Sequence, residues 1–266
     1  MLLFMAIVTA LPAIALVLVS LSGFWSEHIR WSHLNLSSFR QTVLYDPSST
    51  AAITDSFKIG VITATVAAAI AALASTRLVG HTGRGLRALD GVLKLPVILS
   101  PLVIALGFIL GFAGKPFDIG GTVTILFLAY VVLSVPQGTI ATDAAASQVG
   151  RDLREASQIS GARGWRTFAK VYVPLMVPAI AISWALVFVR VLGDLEVSSM
   201  LAGTTNPTIG YQTMILYSQG SYSDVASLAL VVLLTSAIVV SLVLALSRRL
   251  SKWNVVASTT AIGGDY

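Results

Sequence analysis

Long apolar stretches recur along this 266-residue chain, and they constrain its fold more than any other feature. A helix rises about 1.5 Å per residue, so about 20 apolar residues cross a hydrocarbon core about 30 Å thick. Stretches of about this length run from Met1 to Leu21, Ile53 to Ala74, Val92 to Phe112, Thr122 to Thr142, Pro174 to Leu192 and Val225 to Leu246. None of them carries an acidic residue near its middle. The pattern predicts an all-α integral membrane protein with six transmembrane helices.

The low charge content supports a membrane environment rather than an aqueous one. Only 11% of the residues are charged and 56% are hydrophobic, whereas soluble domains are about 25% charged. Cysteine is absent, which excludes a disulfide framework and a cysteine-ligated metal site. The net charge of +5 fits basic loops beside a membrane, so we expect no nucleic-acid partner.

The basic residues divide unequally between the two sides of the six predicted spans. With a cytoplasmic N-terminus, 12 of the 17 Lys and Arg residues fall in cytoplasmic segments. Cytoplasmic loops of membrane proteins are enriched in Lys and Arg. We therefore expect both termini to be cytoplasmic. The chain divides into a first helix with an outer loop (1–52), a core with five further helices (53–252) and a polar tail (253–266).

The longest predicted cytoplasmic stretch, residues 143–173, carries a recognisable motif. Glu155-Ala156-Ser157 is followed by Gly161, then by nine residues, then by Val171-Tyr172-Val173-Pro174. This spacing resembles the EAA loop of binding-protein-dependent ABC importer permeases of type I. The substitutions at Ser157, Val171 and Val173 relative to the family pattern are conservative in size.

The resemblance implies a six-transmembrane-helix type I ABC importer permease bundle in a bacterial inner membrane. Its EAA loop would dock on a cytoplasmic ATPase as a coupling helix. The residues expected to carry this coupling are Arg154, Glu155, Ala156, Ser157, Gly161, Arg163, Arg166 and Pro174.

The same resemblance implies a set of partners. These are two ATP-binding-cassette ATPase subunits, a second permease subunit (the same or a sister chain), and a periplasmic or lipid-anchored solute-binding protein, all at the lipid membrane. ATP and Mg would be bound by the ATPase, so we expect no cofactor in this chain.

The sequence contains no apparent catalytic machinery of its own. It contains no P-loop, no G-x-S-x-G nucleophile motif and no H-E-x-x-H zinc motif. His28 and His33 lie in the first outer loop and His81 in a cytoplasmic loop, so the three cannot form one site. We therefore predict no catalytic residue, no metal site and no enzymatic activity in this chain.

A polar cluster follows the fifth predicted span. Arg190, Asp194 and Glu196 lie at or just beyond its end, and ionisable residues near a span usually face a cavity or a partner. Arg190 and Asp194 are four residues apart, so they are expected to pair on one helix face. We interpret this cluster as an outer gate or part of the translocation path. The polar loop that follows, residues 203–224, is predicted to hold a short re-entrant helix.

The substrate stays open at this point. The Leu-Gly-Asp-Leu-Glu segment at 192–196 is most similar to ferric-iron-type permeases, while polyamine, phosphonate, thiamine and oxyanion permeases are close relatives. The alternative class is an ion-gradient-driven secondary transporter or channel. That class often places carboxylates or histidines within the membrane, and none is evident here.

Overall fold

The computed structural model describes residues 2–22, 35–78, 83–148 and 173–262. Within these ranges the regular structure is helical, apart from one isolated bridge between Gly203 and Asn206. The α-helices are α1 (Leu2–Leu21), α2 (Leu36–Arg40), α3 (Pro47–Leu78), α4 (Arg84–Lys94), α5 (Pro101–Phe112), α6 (Val123–Gln148), α7 (Val173–Leu192), α8 (Glu196–Leu201), α9 (Ile209–Ser218) and α10 (Tyr222–Ile262). A π-helical turn (Gln41–Tyr45) follows α2, and a 3₁₀ turn (Leu95–Val97) follows α4.

Long apolar helices confirm the predicted all-α membrane architecture. In the described ranges, four helical segments are long and apolar enough to cross a membrane: Pro47–Arg77, Val123–Ser147, Val173–Leu192 and Tyr222–Ser247. A bent pair would make a fifth span, and Ala10–Leu21 is a shorter apolar segment within α1. The predicted count of six spans therefore stays a prediction.

The third predicted span, Val92 to Phe112, is not one straight helix. It is divided between α4 and α5, whose axes differ by 104°. Pro96 lies in the 3₁₀ turn and Pro101 begins α5. Proline lacks an N–H and disfavours helical geometry in the residue before it, so two prolines five positions apart interrupt the helix.

Two compact units make up the chain. The first comprises Met1–Gly60, Pro101–Ala129 and Val189–Ala237. In it the Ser20 and Ser227 hydroxyls share a buried hydrogen bond of 2.8 Å, and α8 packs against both α5 and α9. Asp46 caps the start of α3 by accepting a hydrogen bond from the Ser49 N–H.

The second unit comprises Val61–Ser100, Tyr130–Phe188 and Ile238–Tyr266. Its core contains a stripe of small residues on α3, which are buried at helical spacing: Ala64, Ala67, Ala68, Ala71 and Ala72. A methyl group added at Gly138 of α6 would lie 3.0 Å from both Ala71 Cβ and the Ser183 hydroxyl of α7. Small side chains thus let α3, α6 and α7 approach closely, as is common between membrane helices.

Candidate functional site

Most of the predicted ATPase-coupling residues lie outside the described ranges. These are Arg154, Glu155, Ala156, Ser157, Gly161, Arg163 and Arg166. The structure does describe both flanks of this loop, since α6 ends at Gln148 and α7 begins at Val173. Pro174, the last residue of the motif, is exposed in the first turn of α7, where a missing N–H breaks no helical hydrogen bond. The coupling roles stay predictions.

A charged network lies near the end of α6 that leads into the predicted coupling loop. Lys94 of α4 forms ion pairs with Asp90, at 2.7 Å, and with Asp143 of α6, at 3.0 Å. The Ser75 hydroxyl of α3 donates to the Asp143 carboxylate and lies 2.8 Å from the Thr142 hydroxyl. The network therefore joins three helices at the start of the predicted 143–173 stretch.

This network was not predicted from the sequence. Asp90 and Lys94 are four residues apart on one helix, a spacing that could have indicated their pair. Nothing local in the sequence relates Lys94 to Asp143, because the two residues come together only when α4 packs near α6.

The predicted outer cluster is divided between two helices and the turn that joins them. Arg190 lies in the last turn of α7, which ends at Leu192, and Glu196 is exposed in the first turn of α8. Asp194 lies between the helices and accepts a hydrogen bond of 2.9 Å from the Ser198 N–H. Because α7 ends at Leu192, Arg190 and Asp194 do not share one helix, and their pairing stays a prediction. The gate role stays a prediction.

The polar loop after this cluster contains the expected short helix. This is α9, which is ten residues long. Its Ile209 N–H donates to the Ser56 hydroxyl of α3 at 2.7 Å, and Gly210 packs against the turn at Asp194 and Ser198. The hydrogen bond from Ile209 holds the start of α9 close to α3. Because Gly210 has no side chain, α9 can also pack closely against the turn that follows α7.

A cavity of about 890 Å³ opens beside α9 in the first unit. Its described lining residues include the carboxylates of Asp46 and Asp224 but no lysine, arginine or histidine. The π-helical turn contributes Gln41 and Thr42, and the Thr42 hydroxyl donates to Asp224 Oδ1 at 2.6 Å. Such turns occur frequently at functional sites. The cavity was not predicted from the sequence, because its lining residues come from two stretches far apart in the chain, 38–51 and 204–224.

Metal binding is not indicated by the described side chains. Within the four described ranges, no group of three or more His, Cys, Asp or Glu residues is placed to hold a metal ion.

The four membrane-length helices in the described ranges are typical of a multi-pass membrane protein. The family model described as "binding-protein-dependent transport system inner membrane component" matches residues 64–252, and the chain belongs to this family. It is thus a type I ABC importer permease of the inner membrane.

Two relatives illustrate the solutes handled within this family. The chain is 24% identical to the spermidine/putrescine transport system permease protein PotC of Haemophilus influenzae, over 92% of this chain and 95% of the relative. It is 30% identical to the molybdenum transport system permease protein ModB of Escherichia coli K12, over 58% of this chain and 74% of the relative. These names do not support the predicted likeness to ferric-iron-type permeases or the prediction of iron transport.

Solved structures share the fold at low sequence identity. A bacterial ABC transporter involved in the import of the acidic polysaccharide alginate matches with a TM-score of 0.72 and 17% identity, over 93% of this chain and 92% of that chain. The inward-facing MetNI methionine ABC transporter matches with a TM-score of 0.63 and 13% identity, over 76% and 95%. At these identities the likeness concerns the fold.

Proposed function

We propose that this chain forms part of the solute path of an ABC importer and couples to a separate ATPase through residues 143–173. The observation that carries this proposal is the family match over residues 64–252, which includes the whole EAA-like motif. The described ends of α6 and α7 place the two attachment points of that loop on membrane-length helices. A loop held in this way can transmit a movement of the ATPase to both helices.

The proposed assembly contains two ATPase subunits, a second permease subunit and a periplasmic or lipid-anchored binding protein. ATP and Mg bind to the ATPase, and this chain contributes no catalytic group. Both termini lie in the cytoplasm, so the coupling loop faces the ATPase while α9 and the Arg190, Asp194 and Glu196 cluster lie toward the outside. ATP binding and hydrolysis then bias the permease between two conformations, which is how a ligand drives a conformational change.

Co-purification from the native membrane tests this proposal. The tagged chain is extracted in mild detergent, and its partners are identified by mass spectrometry. We expect a P-loop ATPase in the eluate, and we expect Glu155→Arg to reduce its recovery, because the substitution reverses a charge in the predicted contact. Glu196→Arg is the matched control, since it makes the same reversal on the predicted outer side.

Two results would count against the proposal. If the chain elutes alone under conditions that preserve other membrane complexes, coupling to a separate ATPase is wrong. If Glu155→Arg recovers as much ATPase as the unmodified chain, Glu155 does not belong to the contact.

A further inference from the structure

The cavity beside α9 has the chemistry of a binding site for a positively charged solute. Its described lining residues carry two carboxylates, Asp46 and Asp224, and no cationic side chain. Each carboxylate uses one oxygen within the chain: Asp46 Oδ2 accepts from the Ser49 N–H, and Asp224 Oδ1 accepts from the Thr42 hydroxyl. Within the described residues the second oxygen of each carboxylate makes no hydrogen bond, so both oxygens remain for a ligand.

Gln212 gives an independent indication of a ligand. Its side chain lines the cavity, yet only 7% of the residue is exposed. In the part of the chain that the structure describes, its side-chain amide makes no hydrogen bond, whereas its backbone N–H donates to the Thr208 carbonyl at 2.9 Å. Buried polar side chains are ordinarily hydrogen-bonded. The Gln212 amide atoms are not among the fully buried unpaired atoms of the described residues, so they are open to the cavity and available to a ligand. An amide oxygen is a suitable acceptor for an ammonium N–H.

The dimensions of the cavity favour an organic cation over a single metal ion. A volume of about 890 Å³ lies within the range of about 300–1,000 Å³ that is usual for small-molecule sites. No metal-binding group of three or more carboxylate, His or Cys side chains occurs among the described residues. Tyr211 also lines the cavity, and aromatic rings attract ammonium groups.

We propose that this cavity binds a small organic amine, with Asp46, Asp224 and Gln212 as acceptors, and that the importer carries cationic amines rather than oxyanions. This inference rests on the proposed function, since it assigns a solute class to the same transporter. Negative charge on the lining would repel an oxyanion and attract an ammonium group. The segments that line the cavity, among them the π-helical turn and α9, bring its acceptors together from distant parts of the sequence.

Binding to the purified complex tests this assignment. The full chain, with whatever ATPase co-purifies, is titrated in detergent with 1,4-diaminobutane, with molybdate and with Mg²⁺ at matched ionic strength. We expect saturable binding of the diamine and none of molybdate. Loss of one charge-assisted hydrogen bond is worth about 1.5–3 kcal/mol, so Asp224→Asn should raise the Kd for the diamine at least about tenfold.

The variants separate binding from folding. Asp224→Asn keeps an acceptor for the Thr42 hydroxyl, and Asp46→Asn keeps a residue that caps a helix as well as aspartate does. Gln212→Leu removes the amide, and it should weaken diamine binding as well. The matched control is Asp55→Asn on α3, because Asp55 pairs with Lys58 and does not line the cavity. The control should leave the Kd unchanged.

The possible failures are distinguishable. An ATPase in the preparation without diamine binding overturns the solute assignment and leaves the proposed function standing. If the Asp224→Asn and Asp46→Asn variants both bind the diamine as tightly as the unmodified chain, the cavity is not the binding site. Molybdate binding, or displacement of the diamine by Mg²⁺ at the same residues, overturns the amine class. Absence of an ATPase contradicts the proposed function itself, and the titration of the chain alone still tests the cavity.

Discussion

Gly210 lies where α9 meets the turn after α7, and the structure leaves no room there for a side chain. An added methyl group would overlap the Asp194 carbonyl oxygen and lie 2.7 Å from Ser198 Cβ. Alanine normally stabilises a helix relative to glycine by about 0.5–1 kcal/mol. Here we expect overpacking, which typically costs about 1–3 kcal/mol, to dominate, because backbone must move to relieve the clash. Gly210→Ala should therefore lower the thermal midpoint of the purified chain.

Gly91→Ala is the matched control for this change. Gly91 lies in α4, and no described atom is within 4 Å of the added methyl group. We expect its thermal midpoint to stay the same or to rise. A Gly210→Ala protein as stable as the original would mean that α9 does not pack closely against the Asp194 turn.

At the residue scale, the sequence singles out residues whose type is unusual for their position, but not residues that matter only because of what the fold packs against them. Arg190, Asp194 and Glu196 were recognisable because charges beside an apolar span are unusual. Gln212 was not, because an uncharged amide in a polar loop is ordinary until the fold buries it. The importance of Gly210 likewise depends on Asp194 and Ser198, which approach it only through the turn between α7 and α8.

At the element scale, apolar length predicted where most membrane helices lie but not how they bend. The helices α3, α6 and α7 cover the stretches expected from hydropathy, while α4 and α5 divide the third one. The prolines at positions 96 and 101 explain the break. A direction change of 104° depends on what the two segments pack against, which a hydropathy pattern does not contain.

Asp143 joins α4 to α6, which leads into the proposed coupling loop, and we expect Asp143→Asn to weaken this contact. The side chains of Lys94 and Asp143 are 41% and 29% exposed. Surface pairs contribute about 0–1 kcal/mol, so the loss should be of that size. It should appear as a lower thermal midpoint.

Asp90→Asn is the control for the Asp143 variant, since Asp90 pairs with the same lysine but within a single helix. We expect it to have the smaller effect. If both variants melt alike, the contact between α4 and α6 adds nothing beyond an ordinary surface pair.

At the scale of the whole molecule, one local motif identified the family, because the EAA-like loop is contiguous in sequence. The solute could not be identified in the same way. The cavity that we assign to an organic amine is assembled from α2, the π-helical turn, α3, α9 and the residues around them. The residues that would determine selectivity at such a site are far apart in the sequence, and only folding brings them together.

Membrane orientation is also a property of the whole molecule, and the absence of cysteine makes it directly measurable. Ser147 and Ser218 are both exposed, near the coupling-loop end of α6 and at the end of α9. We expect a membrane-impermeant maleimide to label Ser218→Cys in intact cells and Ser147→Cys only after the membrane is opened. The reverse order of labelling would place the coupling loop outside the cell and contradict the predicted topology.

The bend between α4 and α5 also bears on how the protein enters its membrane during synthesis. With 12 residues, α5 is long enough to cover only about 18 Å, well short of a hydrocarbon core of about 30 Å. A helix of that length is too short to span the bilayer, so we expect it to leave the translocation machinery inefficiently when alone. We expect the predicted third span to stay in the insertion channel until α6 emerges, so that the two enter the bilayer together as a helical hairpin.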